Sequence, residues 1–317
     1  MIEIIDAMQR AVDVVLTSPH PTNKVAASLF RDDLITSRTN AWPEKISRHL
    51  GMETRIGNSS GTIHAEVNCL LHFPGKTEGA SLCITDPFCP NCAKNIAEAG
   101  IKRIYIDHKG FQKDFASRRG DEFENMSLRI AARAGISIYE VRRKEGVITP
   151  ILETPENYTA PQDNPIKMSK SPFDANVKGL RQLVNSVQVI HERWACGFAM
   201  GTNRELWALV ASAHPAIGYT KDDPRDMESL SHPEGKYNFY LEPMNRLLMG
   251  AARHGLRLLD GLVWCSVVPT AREQVNLVTA NMTTVYIGNE AEGRDADALS
   301  ARDTLAKAGI LTFSSLT

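Results

Sequence analysis

The chain has little cysteine, no excess of either charge and no long apolar run. Six cysteines in 317 residues are too few to staple a fold of this size. Four of them, Cys69, Cys83, Cys196 and Cys265, stand alone in apolar stretches and are expected to be core thiols. Thirty-six basic residues face thirty-seven acidic ones, which excludes a global field that would draw nucleic acid or an anionic membrane. Any such binding has to be local. No stretch approaches the roughly eighteen apolar residues of a membrane span, and the opening "MIEIIDAMQRAVDVVL" carries acids where a secretory signal would carry bases. These absences lead to the expectation of a soluble, cytoplasmic, globular protein with no membrane partner. The 43% hydrophobic content is ample for two packed cores.

What the chain does have is alternation. "IEIIDAMQRAVDVVL" has helical spacing, and "KVAASLF" and "DLITSRT" read as strands around the turn signal Arg31, Asp32, Asp33. After a Gly, Asn and Ser-rich loop at 57–61 come a helix at "TIHAEVNCLL", the strand "SLCITD", a helix at 90–99, the strand "RIYID", a helix near 121–134 and the strand "SIYEV". A helix between the last two strands makes them parallel. From 144 to 172 the periodicity stops, and Pro150, Pro155, Pro161, Pro165 and Pro172 break any helix or central strand. The same order then restarts: a helix over 176–193, strands "WACGFAM" and "ELWALVAS", a helix at "LEPMNRLLMGAARHG", "LVWCSVV", a helix at "TAREQVNLVTAN", "TTVYIG", a helix near 295–308 and "ILTFSS". "VNCLL" (67–71) lies opposite "MNRLL" (244–248), and "KRIYID" (102–107) opposite "TTVYIG" (283–288), so an internal duplication is the reading. The expected architecture is α/β: two three-layer α/β/α domains, 1–143 and 173–317, each on a mixed five-stranded sheet, joined by a Pro-rich linker at 144–172.

Chemistry concentrates in the first unit. His64 and Glu66 stand two apart in an otherwise apolar helix, and twenty-five positions after His64 comes "TDPFCPNCAKNI", with Cys89 and Cys92 where a strand gives way to a helix. One imidazole and two thiolates are three zinc ligands, and three protein ligands leave the fourth position for water, the catalytic arrangement. A helix beginning at Cys89 aims its positive end at the thiolates and helps keep them deprotonated. On an ideal helix Glu66 would point about 200° away from His64; in a frayed first turn it can instead reach a zinc-bound water, whose pKa zinc lowers to roughly 7, and take its proton. A redox role for "CPNC" would leave His64 and Glu66 unexplained, and a structural zinc would need a fourth ligand, for which His72 and Cys83 are the nearest candidates. The basic residues of 102–144 alternate with acids and read as a solvated face. Of the four tryptophans, Trp194, Trp207 and Trp264 read as core, whereas Trp42 stands in a loop and could stack on a base.

This set of residues resembles the zinc-dependent cytidine deaminase superfamily, whose His-x-Glu and Pro-Cys-x-x-Cys signature is a standard pattern. "IHAEVN", "CPNCAK" and "AGIKRIYID" look most like the deoxycytidylate, or CMP/dCMP-type, branch. The resemblance implies that His64, Cys89 and Cys92 bind Zn2+, that Glu66 shuttles protons, that Asn40 contacts sugar or base, and that the Ala65 backbone meets the base. Where the family has Pro before its first cysteine this chain has Phe88, with Pro87 one earlier, which reshapes the expected pocket floor. Lys24, in "PTNKVAA", stands where a phosphate could be held, though lysine at a strand entrance is commonly just solvated.

Carrying the repeat through the metal positions puts Leu241 opposite His64, Pro243 opposite Glu66, Thr270 opposite Cys89 and Glu273 opposite Cys92. No ligand set survives, so the second unit is expected to be a degenerate deaminase-like domain packed on the first, with room left for a homodimer. The function expected is hydrolytic deamination of a cytosine-type nucleotide or nucleoside, deoxycytidylate or CMP ahead of cytidine. Guanine, adenosine in RNA, or a non-catalytic zinc module for assembly or nucleic-acid binding are the alternatives.

Overall fold

A computed structural model describes residues 2–113, 123–188, 193–223 and 238–316. The "SRRG" stretch at 117–120 and the expected helical residues 121–122 and 189–192 lie outside them.

The first unit runs α1 (Ile4–Val14), β1 (Ala26–Arg31), β2 (Leu34–Thr39), α2 (Glu44–Leu50), α3 (Ala65–His72), β3 (Ser81–Ile84), α4 (Pro90–Glu98), β4 (Arg103–Asp107), α5 (Leu128–Ala134), β5 (Ser137–Arg142) and β6 (Val147–Leu152). The second runs β7 (Lys167–Lys170), α6 (Val177–Ser186), β8 (Trp194–Met200), β9 (Leu206–Ser212), the short pair β10 (His214–Pro215) and β11 (Tyr240–Leu241), α7 (Pro243–Arg253), β12 (Arg257–Val268), α8 (Ala271–Thr279), β13 (Thr284–Gly293), α9 (Ala296–Lys307) and β14 (Thr312–Ser314). Short α2, which follows Pro43 and buries little beyond Ile46, is an α-helix that the sequence pattern does not announce.

Each large sheet has six strands, not the five expected. The orders are β2-β1-β3-β4-β5-β6 and β9-β8-β12-β13-β14, with β7 beside β9. The extra strands, β6 and β7, come from the two ends of the proline-rich stretch expected to be wholly linker, so the connection between sheets is 153–166. Both lie at sheet edges. There Pro150, inside β6, can lack an N–H without breaking a central ladder, and the β5–β6 register shifts close by.

Apart from those edges the two sheets match strand for strand. β1 is antiparallel to β2 and β3, and β4 is parallel to β3 and β5; likewise β8 is antiparallel to β9 and β12, and β13 parallel to β12 and β14. On the outer face of the first sheet α1 sets Ala7 and Met8 against Phe30, Cys83 and Tyr105. On the outer face of the second, α6 sets Leu180 and Leu183 against Cys196, Phe198 and Trp264. The inner helices share one apolar cluster across both units, in which Leu70 and Ile96 join Leu247 and Val275.

That shared core is threaded by polar ties. Buried Arg246 on α7 reaches Glu98 on α4 (Nε to Oε2, 3.3 Å) and also donates to Ser212 O at 2.8 Å and Asn164 O at 2.7 Å. Buried Lys94 on α4 donates to Asn238 O and Tyr240 O, both at 2.8 Å. Gly100, with φ +76, turns the chain out of α4 where a Cβ would lie 3.1 Å from Arg253 Nε and 3.2 Å from Glu78 Cα, so only glycine fits this approach. No helix among the described residues is long and apolar enough to cross a membrane.

Candidate active site

Two helix starts build the site. His64 is the N-cap of α3, with extended backbone (φ −79, ψ 150), and Cys89 is the N-cap of α4 (φ −82, ψ 163), followed by Pro90 at the first helical position, where a missing N–H is harmless. Neither side chain caps its own helix. Both turn toward each other instead, and Cys92, one turn into α4, joins them. His64 Nδ1 lies 3.5 Å from Cys89 Sγ and 3.2 Å from Cys92 Sγ. Tetrahedral zinc with ordinary bond lengths would separate such atoms by about 3.6 Å, so the donor set fits the ion in both chemistry and spacing, with Nδ1 as the imidazole ligand. Among the described residues these three are the one group of His, Cys, Asp or Glu side chains whose donor atoms converge for a metal. The candidates for a fourth protein ligand are elsewhere: His72 Nδ1 pairs with Asn68 O at the far end of α3, and Cys83 faces α1 across the opposite side of the sheet.

The electrostatics suit a dication. A hydrogen bond from Cys92 holds the Cys89 thiol well below its ordinary range, with His64 adding to the effect. Burial, and then the neighbouring Cys89, push Cys92 up. Ligation by both sulfurs would require both thiols to be deprotonated. Burial also pushes Glu66 above the usual carboxylate range, against the opposing pull of His64. The 200° separation of an ideal helix does not apply, and no fraying is needed: His64 is outside the helix, so the two residues do not share its rotation. Glu66 is the second residue of α3 and is buried beside the ligands.

The bridge Ala41–Ile63 (Ile63 N to Ala41 O, 2.8 Å) pairs the segment after β2, which carries Asn40 and Trp42, with the residues just before His64. Asn40 is buried and already engaged: Oδ1 accepts from Val25 N at 2.9 Å and lies 2.7 Å from Ser18 Oγ, while Nδ2 donates to Asn23 O at 2.8 Å. Trp42 stacks on His20 (centroids 5.6 Å apart, planes 13° apart) and donates to Ser60 O at 3.2 Å. Lys24 donates to Ser18 O, at the carbonyl-rich end of the turn after α1. Phe88 is buried edge-on against Phe123, centroids 5.4 Å apart, and its carbonyl accepts from Ser127 Oγ at 2.9 Å. Two neighbours escaped the sequence reading. His20 sits in an unpatterned loop between Pro19 and Pro21, and Arg272, from α8, donates to Thr62 O at 2.5 Å. Nothing local in the sequence marks either; only the fold brings them here.

The family model for the "Cytidine and deoxycytidylate deaminase zinc-binding region" matches residues 1–108. An Aliivibrio fischeri protein described as "Uncharacterized deaminase in luxG 3'region" is 30% identical over 122 residues, 38% of this chain and 81% of that protein. The chain belongs to the cytidine and deoxycytidylate deaminase family. His64, Cys89 and Cys92 are accordingly its zinc ligands, and the chain is similar in a shorter stretch to the deoxycytidylate deaminase of Enterobacteria phage T4: 42% identity over 50 residues, 15% of this chain and 26% of the phage protein. The dCMP deaminase of cyanophage S-TIM5, solved with dCMP and dUMP, is 23% identical, covers 42% of this chain and 93% of its own, and superposes with a TM-score of 0.32. The family model ends at residue 108, so the second unit lies beyond it.

In that second unit the helix starts stand in the same places. Glu242 is the N-cap of α7 and Thr270 the N-cap of α8. Counted from the helix caps, Glu242 holds the place of His64 and Met244 that of Glu66, one residue on from Leu241 and Pro243. Thr270 and Glu273 keep their places opposite Cys89 and Cys92. Glu242 is held by Arg193 at 3.0 Å.

Proposed function

We propose that this chain hydrolyses the exocyclic amine of a cytosine-type nucleotide, deoxycytidylate or CMP, to a carbonyl with release of ammonia. The observation that carries the reading is Glu66, a buried carboxyl at the start of α3 beside three converging zinc ligands. When bound, zinc supplies the Lewis acidity that makes water a competent nucleophile near neutral pH. Glu66 would take one proton from the attacking water and hand it to the ring nitrogen, then take the second proton from the hydroxyl newly bonded to the ring carbon and pass it to the amine, which leaves as ammonia as the carbonyl forms. Its raised pKa, caused first by burial, suits a group that must both accept and return a proton. The Ala65 backbone and Asn40 flank the base and sugar. Trp42, stacked on His20, offers a face for the base, Lys24 stands at the phosphate end, and Phe88 shapes the floor through its packing on Phe123.

The second unit, 173–317 by the sequence boundaries, is in this reading a deaminase-like copy without ligands. Its support is the strand-for-strand match of the two sheets and the shared placing of helix caps. Ammonia release measured across cytosine, cytidine, deoxycytidine, their monophosphates, guanine and a tRNA stem-loop tests the assignment. Turnover of the monophosphates, with loss of at least ~100-fold in Glu66→Gln while zinc content is unchanged, is the expected result. Turnover of none of the panel would refute it.

A further inference from the structure

We propose that the second unit holds the zinc site of the first in register, and that Arg272 is the positioning residue through which it does so. The second residue of α8, Arg272 donates from Nη1 to Thr62 O at 2.5 Å, and Thr62 is buried two positions before His64. Ile63, between them, forms the bridge to Ala41. One guanidinium thus fixes the strand-like segment that carries the metal imidazole and, through the bridge, the loop that carries Trp42.

The segment leading to Thr62 rests on the second unit at another point. Gly57 has φ +55, and a Cβ there would lie 2.4 Å from Asp297 O and 3.0 Å from the Ala271 Cβ, so its backbone lies directly on the starts of α8 and α9. The other ligand-bearing element is fastened from the same side. Cys89 and Cys92 open α4, while Lys94 and Glu98 farther along it bond to Asn238 O, Tyr240 O and Arg246. Both segments that present zinc ligands are therefore anchored to a partner in which no ligand group converges among the described residues. Ligand geometry must be held to within about 0.5 Å to be productive, and helix starts joined only by a loop and a shared ion would not supply that.

Zinc-loaded full-length protein, Arg272→Lys and Arg272→Met are compared for zinc release to a colorimetric chelator at fixed pH, and for kcat and KM. The metal measurement stands independently of substrate; the turnover measurement rests on the deaminase reading above. Arg272→Met is expected to release zinc roughly tenfold faster and to lose more in kcat than it raises KM, because Arg272 acts through Thr62 and reaches Trp42 only through the Ala41–Ile63 bridge. Arg272→Lys, which keeps a donor, is expected to fall between it and the parent. Parent-like release in Arg272→Met overturns the proposal, as does an Arg272→Met that fails to fold alongside a parent-like Arg272→Lys. If the parent turns over no base, the function falls and the release rates still decide the role of Arg272.

Discussion

Glu273 is buried, and its two oxygens meet four donors: Oε1 accepts from Met244 N at 2.8 Å and Asn245 N at 3.1 Å, and Oε2 from Thr270 N and Thr270 Oγ1, both at 2.8 Å. It stands in α8 at the position that Cys92 holds in α4. A carboxylate therefore ties the starts of α7 and α8, as metal ligation ties those of α3 and α4. Burial and neighbouring Glu242 push it up to about 7, while the four donors favour its charged form. Glu273→Ala strands several buried N–H groups and removes a capping box, an expected loss of about 2–4 kcal/mol. Urea denaturation measures it, and metal analysis should still find the parent's zinc content, since no second converging ligand group exists among the described residues.

Among the elements, α4 does two jobs. Its first turn presents thiolates, and its later turns carry the charges that cross to the second unit. The Arg246–Glu98 pair is buried on both sides, and Arg246 has two further carbonyl partners, so its charge is well solvated by protein. Removing one member leaves the other uncompensated, and Glu98→Met is expected to cost about 3–5 kcal/mol. Pairing it with Arg246→Met should recover part of that loss, because no lone charge then remains. A double-mutant cycle in urea reads the coupling directly, and simple additivity of the two losses would contradict it.

Across the whole molecule the two sheets enclose one core, and the rim of that core carries a pH-sensitive contact. Glu78 of the first unit accepts from Arg253 of the second at 2.9 Å, and that hydrogen bond, ahead of other causes, holds Glu78 below its ordinary value of 4.5. A carboxylate depressed in the folded state contributes its stability above the unfolded value, and that contribution is lost as pH falls through the folded one. The pair is partly exposed, so the effect is small and salt-sensitive. Between pH 6 and roughly 3, the unfolding midpoint of the parent is expected to fall more than that of Glu78→Gln; equal slopes would show that the contact contributes nothing to stability.

Sequence by itself determined the alternation of helices and strands in both halves, because apolar periodicity and turn residues act within a few positions of one another. It also determined the zinc ligands, since His64, Cys89 and Cys92 are unusual residue types at helix starts whatever surrounds them. It could not determine what depends on distant segments meeting. The prolines of 144–172 rule out a helix or a central strand, but not β6 and β7 at sheet edges, where a missing donor is harmless. Glu66 can be expected beside the metal from sequence only if the first turn is frayed; the structure instead places His64 outside the helix as its N-cap. Arg272 carries no local mark: it reaches Thr62 from 210 residues away because two sheets, built alike, press their inner helices together, and only that packing decides which surface charge becomes part of a metal site.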